Sequence, residues 1–121
     1  MKAILATVAA TAAVLVPTST QPAAQGLVLT APGHTVTLFC EPFPHGTHPL
    51  AVPACMALST AGGDFDALPG EPAVCREPYK PVVVTARGDF RGHPVRWRKK
   101  FANPCVLRAA TGPVFAFAGV G

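Results

Sequence analysis

Apolar residues in this chain recur mostly in short runs with a period near two, the spacing of half-buried β-strands. Leu27-Val28-Leu29-Thr30 predicts a first strand and Thr35-Val36-Thr37-Leu38-Phe39-Cys40 a second, with the turn signal Pro32-Gly33 joining them as a hairpin. Val82 to Arg87 predicts a third strand, and Arg87-Gly88-Asp89 the turn after it. Phe90 to Phe101 alternates in its later part. Val95, Trp97, Lys99 and Phe101 point one way, and Arg96, Arg98 and Lys100 the other. Pro94 has no amide hydrogen to donate, which implies an edge, bulge or bend. Val114-Phe115-Ala116-Phe117 predicts a final strand.

The helical signals are fewer. Ala51 to Ala61 has helical composition, with Pro53 tolerable only in the first turn and Gly62-Gly63 as the stop. Asn103 to Ala110 predicts a short helix, with Asn103 as cap, Pro104 at the first position and Gly112 closing it. Glu41 to Pro53 is proline-rich loop, and Asp64 to Ala73 is turn-rich. No internal repeat interrupts this order. The expected class is α+β: an antiparallel sheet of about five strands with one main helix and one short helix.

The first residues stand apart from this pattern. Lys2 precedes the apolar run Ala3 to Val16, which is too short to span a bilayer stably, and small polar residues follow. This predicts a signal peptide over residues 1–24, cleaved after Ala24, and one domain over residues 25–121. Pro, Gly or charge interrupts every later apolar run, so no membrane span is expected. The expected protein is secreted and extracellular.

A mature chain of roughly a hundred residues has a modest core, and crosslinks would help it. The four cysteines are Cys40, Cys55, Cys75 and Cys105. In an exported chain they read as two disulfides, for which three pairings are possible. Zinc is the rival, but no Cys-x-x-Cys occurs and no His stands at a matching interval, so no metal and no cofactor are expected. No Ser with a partner acid and base stands out, which argues against an enzyme. His34, His45, His48 and His93 are scattered and read as exposed or turn histidines, with His48 serving a local turn or helix start. Asp64 and Asp66 after glycine suggest an Asx-type turn. The formal net charge is +4, mostly from Arg91, Arg96, Arg98, Lys99, Lys100 and Arg108. A basic strand face beside Trp97 could bind nucleic acid or a polyanion. Trp97 alternates onto the apolar side, however, so the plainer reading is a solvated edge and nucleic acid is not the expected partner.

The most informative segment is Cys75-Arg76-Glu77-Pro78-Tyr79-Lys80-Pro81. A half-cystine opens it and Pro81 closes it just before Val82-Val83-Val84-Thr85. A loop anchored at one end and stiffened at the other suits a protease inhibitor, which must hold a substrate-like peptide ready so that docking loses little ordering entropy.

With these residues in place, the chain resembles the Streptomyces subtilisin inhibitor family. The resemblance is carried by Leu27-Val28-Leu29-Thr30, Gly46-Thr47-His48-Pro49, Gly62-Gly63-Asp64-Phe65-Asp66-Ala67-Leu68, the Tyr79 to Thr85 stretch after Cys75, Phe101-Ala102-Asn103 with Cys105, and Val114-Phe115-Ala116-Phe117. It implies the local pairing Cys40–Cys55 and Cys75–Cys105. It also implies a homodimer, with Val28 and Phe90 where the family's contacts fall, and a serine protease of the subtilisin or chymotrypsin type as partner. The family's specificity residue lies two positions after the third cysteine, here Glu77, so the presented bond would be Glu77–Pro78, flanked by Val74, Arg76 and Tyr79. Arg76 is the alternative specificity residue. Tyr79 either makes a rigid contact on the leaving-group side or packs under the loop.

Two residues depart from the family pattern. A basic or large apolar residue is usual where Glu77 stands, and a carboxylate suits a cationic or histidine-lined pocket, as in a glutamate-preferring protease. Pro78 lacks the amide hydrogen and crowds the attack. The expectation is a loop that plugs without being cut. The alternative is a non-inhibitory secreted binding module on the same scaffold, with a metalloprotease or polyanion partner.

Overall fold

The computed structural model describes residues 26–118, so the segment read as a signal peptide lies outside the described residues. The strands β1 (Gly26–Ala31), β2 (His34–Phe39), β3 (Val82–Phe90) and β4 (His93–Phe101) form one antiparallel sheet in the order β2-β1-β3-β4. Helices α1 (Ala51–Thr60) and α2 (Pro104–Thr111) complete the main elements, with 3₁₀ turns at Phe65–Ala67 and Gly112–Phe115.

The period of two sorts the sheet residues as expected. Leu27, Leu29, Leu38, Val84, Ala86 and Phe101 are buried on one face, against Ala54, Leu58, Leu107, Val114 and Phe115 from the helical side. Trp97 is half-buried on that same face and its ring lies 5.2 Å from Phe65 and 5.7 Å from Phe115. Its Nε1–H donates to Asp66 Oδ1 at 3.1 Å. Pro94 sits in β4, an outer strand, where a missing donor costs no ladder bond.

Two expectations about strands are corrected. The sheet has four strands, because Val114-Phe115-Ala116-Phe117 is not a strand. Val114, Phe115 and Phe117 are all buried, whereas a strand with one wet face would bury alternate residues. Gly112-Pro113 starts a tight turn, and Ala116 N–H and Ala118 N–H donate to the carbonyls of Pro113 and Phe115. The second correction concerns Arg87-Gly88-Asp89, which lies within β3. The reversal comes later, at Arg91-Gly92, where both residues have positive φ (49° and 85°), the geometry a two-residue hairpin turn requires. Phe90 thus ends β3 instead of opening the next strand. Gly88 is in place for another reason: at φ 130°, a Cβ would sit 2.2 Å from the Gly26 carbonyl oxygen of β1.

Helix α1 runs as its composition suggests, with Pro53 in its first turn. Asn103 caps α2, its side-chain oxygen accepting from Val106 N–H at 2.8 Å. Asp64 forms the expected Asx turn, accepting from Asp66 N–H. His48 is local in role, since its Nδ1 accepts from Leu50 N–H at the start of α1. It is not an exposed histidine: it is 5% exposed, and its Nε2–H donates to the Val114 carbonyl.

Candidate functional site

The segment from Pro69 to Pro81 carries no regular secondary structure and leads into β3. Its composition explains the extended course. Pro69, Pro72, Pro78 and Pro81 each remove a backbone donor and bias the residue before them away from helix. Arg76, Glu77, Pro78, Tyr79 and Lys80 are all exposed, and Val74 and Tyr79 are 80% and 68% exposed. An exposed apolar side chain without a role in the core is informative at this density. The high exposure of Tyr79 favours a contact role over packing beneath the loop.

The loop is exposed yet tied down along its whole length, and every tie leads to α2 or the residues just before it. At the entry, Glu71 N–H donates to the Ala109 carbonyl at 3.1 Å, and the Glu71 carboxylate pairs with Arg108 at 3.3 Å. Gly70 permits this approach, since a Cβ there would lie 1.7 Å from the Ala109 oxygen. Next comes the Cys75–Cys105 disulfide, with Cys105 in the first turn of α2. The other bridge joins Cys40 to Cys55 beneath α1. Both are the local pairs, and no described cysteine is free. At the exit, Lys80 N–H donates to the Ala102 carbonyl at 2.7 Å.

Between these ties stands Asn103. Its Nδ2 donates to the carbonyl of Glu77 at 3.1 Å and, more weakly, to that of Pro78 at 3.4 Å. The side chain is therefore shared: its oxygen holds the helix start and its amide holds the loop. Asn103 itself is 4% exposed, which keeps water from competing for these bonds. The sequence marks Asn103 only as a helix cap. One signal for the second role is present, because Asn, unlike Asp, Ser or Thr, can accept at the cap and still offer two N–H donors elsewhere. The anchoring parts played by Gly70, Glu71, Ala102 and Arg108 have no such signal. Loop and α2 together border a shallow groove of about 360 Å³, so the peptide stands off the body instead of collapsing onto it.

The other residues singled out fall elsewhere. Val28 is half-buried on the outer face of β1. Phe90 is 4% exposed within its own chain and offers no surface to a second copy. Among the described residues no cluster of His, Cys, Asp and Glu is suited to a metal ion, and no helix is long and apolar enough to cross a membrane. Burial lowers the pKa of His48 below its ordinary 6.5, against the opposing effect of its bond to Val114.

Known proteins resemble this chain in sequence and fold. A family model described as subtilisin inhibitor-like matches residues 9–103. A subtilase-type protease inhibitor of Streptomyces fradiae is 51% identical over 89 residues, which are 72% of this chain and 63% of that protein. A subtilisin inhibitor-like protein of Streptomyces ambofaciens is 47% identical over 87 residues, 71% of this chain and 80% of its own. Among solved structures, sermetstatin of Streptomyces caespitosus, crystallised in complex with subtilisin of Bacillus licheniformis, superposes with a TM-score of 0.61 at 34% identity. That match covers 76% of this chain and 97% of sermetstatin. These relatives are named as inhibitors, not as enzymes.

Proposed function

The chain belongs to the subtilisin inhibitor-like family, and from that membership we propose that it is a secreted inhibitor of a serine endopeptidase of the subtilisin or chymotrypsin type, with Glu77–Pro78 as the presented bond. The observation that carries this reading is the Asn103 amide, which holds the carbonyls of both residues of that bond. A carbonyl has two lone pairs, so the Glu77 oxygen can keep Asn103 and still accept from an enzyme's oxyanion donors.

The ties around the loop support a mechanism of frustrated cleavage. If the serine attacked the Glu77 carbonyl and the bond to Pro78 broke, the Glu77 acyl group would pass to the serine oxygen and the Pro78 nitrogen would leave with a proton. Both ends would stay in place. The Glu77 side is held through Cys75–Cys105, and the Pro78 side through Asn103 and the Lys80 N–H to Ala102. An amine kept within reach of the acyl carbon recombines in preference to water, because proximity acts as a very high local concentration. Pro78 adds resistance to the first step by crowding the leaving nitrogen. Binding strength then comes from preorganisation, not from large area.

Glu77 directs this reading to a glutamate-preferring enzyme, since its carboxylate is unfavourable in an apolar pocket and suits a cationic one. The test is a titration of subtilisin, trypsin, a glutamate-specific protease and a thermolysin-like enzyme with the purified mature protein. The expected result is stoichiometric loss of the glutamate-specific activity, weak action on subtilisin, and an intact Glu77–Pro78 bond by mass spectrometry. No loss of any serine protease activity at micromolar protein would refute inhibition and leave a binding module. A homodimer belongs to the same reading through Val28, and sedimentation of the mature protein tests it.

A further inference from the structure

Charge along the loop has a pattern of its own. From Pro69 to Pro81 the charged residues are Glu71, Arg76, Glu77 and Lys80. Glu71 is neutralised by Arg108 at 3.3 Å. Elsewhere Arg91 meets Glu41 at 3.3 Å and Lys99 meets Asp66 at 3.8 Å. Arg76, Glu77 and Lys80 are exposed, and none of them forms an ion pair with a described residue. What remains is a carboxylate with a cation on either side, Arg76 directly before it and Lys80 beyond the presented bond. Both cations are also fixed in place. Arg76 stands between Cys75, bridged to Cys105, and Glu77, whose carbonyl accepts from Asn103 Nδ2 at 3.1 Å. Lys80 is itself a tie, its N–H donating to the Ala102 carbonyl at 2.7 Å.

Resting on the inhibitor reading above, we propose that Arg76 and Lys80 are specificity-determining residues. The partner they select is a serine endopeptidase whose cationic primary pocket lies between two acidic patches, one receiving Arg76 and the other Lys80. A pocket cationic enough to take Glu77 would by itself repel Arg76, the very next residue, so a carboxylate beside that pocket is needed to offset it. The guanidinium is a planar donor fork that suits such a carboxylate in a two-bond contact, whereas the Lys80 ammonium needs only a nearby negative charge. One acidic patch cannot serve both cations. Along an extended chain their Cα atoms stand about 13 Å apart, beyond the ~8 Å over which salt screens exposed charges. Enzymes with basic flanks are rejected by repulsion, and those with apolar flanks by the cost of taking a guanidinium out of water unpaired. Exposed and preset, the two cations also speed encounter with an acidic surface.

The experiment follows association of the mature protein with each serine protease that it blocks in the titration above, by stopped flow across a salt series. The wild-type association rate should fall about 10-fold between ~50 and ~500 mM salt. R76E/K80E should reverse that trend and weaken the inhibition constant at low salt by about 100-fold or more. Its Tm should stay within about 4 °C of wild type, because both side chains are exposed. R76K/K80R, which keeps both charges, should retain the salt trend. Equal inhibition by wild type and R76E/K80E, or an association rate indifferent to salt, overturns the proposal and leaves the inhibitor reading standing. Inhibition that survives E77Q but not R76A would overturn it by putting Arg76 itself in the primary pocket. A wild type that blocks no serine protease refutes the inhibitor reading, and this proposal with it.

Discussion

Asn103 joins fold and function through one side chain, and two substitutions separate its roles. Asn103→Ala removes everything: the cap on Val106 N–H and both bonds to the loop. Losing the cap costs about 1 kcal/mol, or about 5 °C in Tm for a domain of this size. Asn103→Asp keeps an oxygen for Val106 N–H and places negative charge at the start of α2, where the helix dipole favours it. Its second oxygen then opposes the carbonyls of Glu77 and Pro78 in place of donating to them. One good bond at 3.1 Å and one marginal bond at 3.4 Å together amount to about 1–2 kcal/mol. That energy orders the loop before docking, so its loss should weaken the inhibition constant by about 5- to 30-fold. The assay pairs the inhibition constant, against whichever protease the wild type blocks, with thermal melting of each variant. The aspartate variant should lose inhibition with a fall in Tm of about 5–10 °C from the lost loop bonds, so both readouts are taken at temperatures where it is folded. Wild-type inhibition by Asn103→Asp, within twofold, would refute the claim that this amide presets the loop.

Other consequences are open to simple measurements. Replacing the Cys75–Cys105 pair by serines, at a sequence separation of 30, should cost about 3.6 kcal/mol by the chain-entropy argument and also weaken inhibition. Replacing Cys40–Cys55, at a separation of 15, should cost about 3 kcal/mol and leave the inhibition constant nearly unchanged at temperatures where the variant is folded, since that bridge lies away from the loop. Glu77→Lys with Pro78→Val should yield an inhibitor of trypsin or subtilisin, and an inert double variant would place the specificity outside these residues. The lowered pKa of His48 gives stability a pH dependence of known sign. The unfolded chain takes up the proton first, so stability is full above about 6.5 and declines as pH falls below it. Protonation also removes the acceptor for Leu50 N–H. Chemical denaturation from neutral pH to about 5 should show a steeper decline for wild type than for His48→Gln, and parallel curves would contradict the assignment.

How far the sequence carries depends on whether a signal is local. Asn103-Pro104 announces a helix start because cap and first-turn chemistry are satisfied within a few residues. The same asparagine's hold on Glu77 spans 26 positions, and no local pattern encodes it. Val114 to Phe117 misleads for a related reason: a short continuous apolar run suits a buried strand, but it shows no period that separates a strand from a buried turn, and here the segment turns within the aromatic cluster. Arg87-Gly88-Asp89 has turn composition, yet Gly88 serves the close passage of β1, a contact visible only once the sheet is assembled.

The sequence by itself determined the four strands of the sheet, both helices and the Asn103 cap, the even set of cysteines and the proline-stiffened segment around Glu77, because each follows from backbone preference or burial along a short stretch. Only the tertiary structure decided which cations meet acids, that Arg87 stands opposite Arg96 across the sheet, and that α2 with its cap underlies the whole loop. Those outcomes depend on residues far apart in the chain arriving at hydrogen-bonding distance, and that arrival is set by the packing of the sheet against the helices.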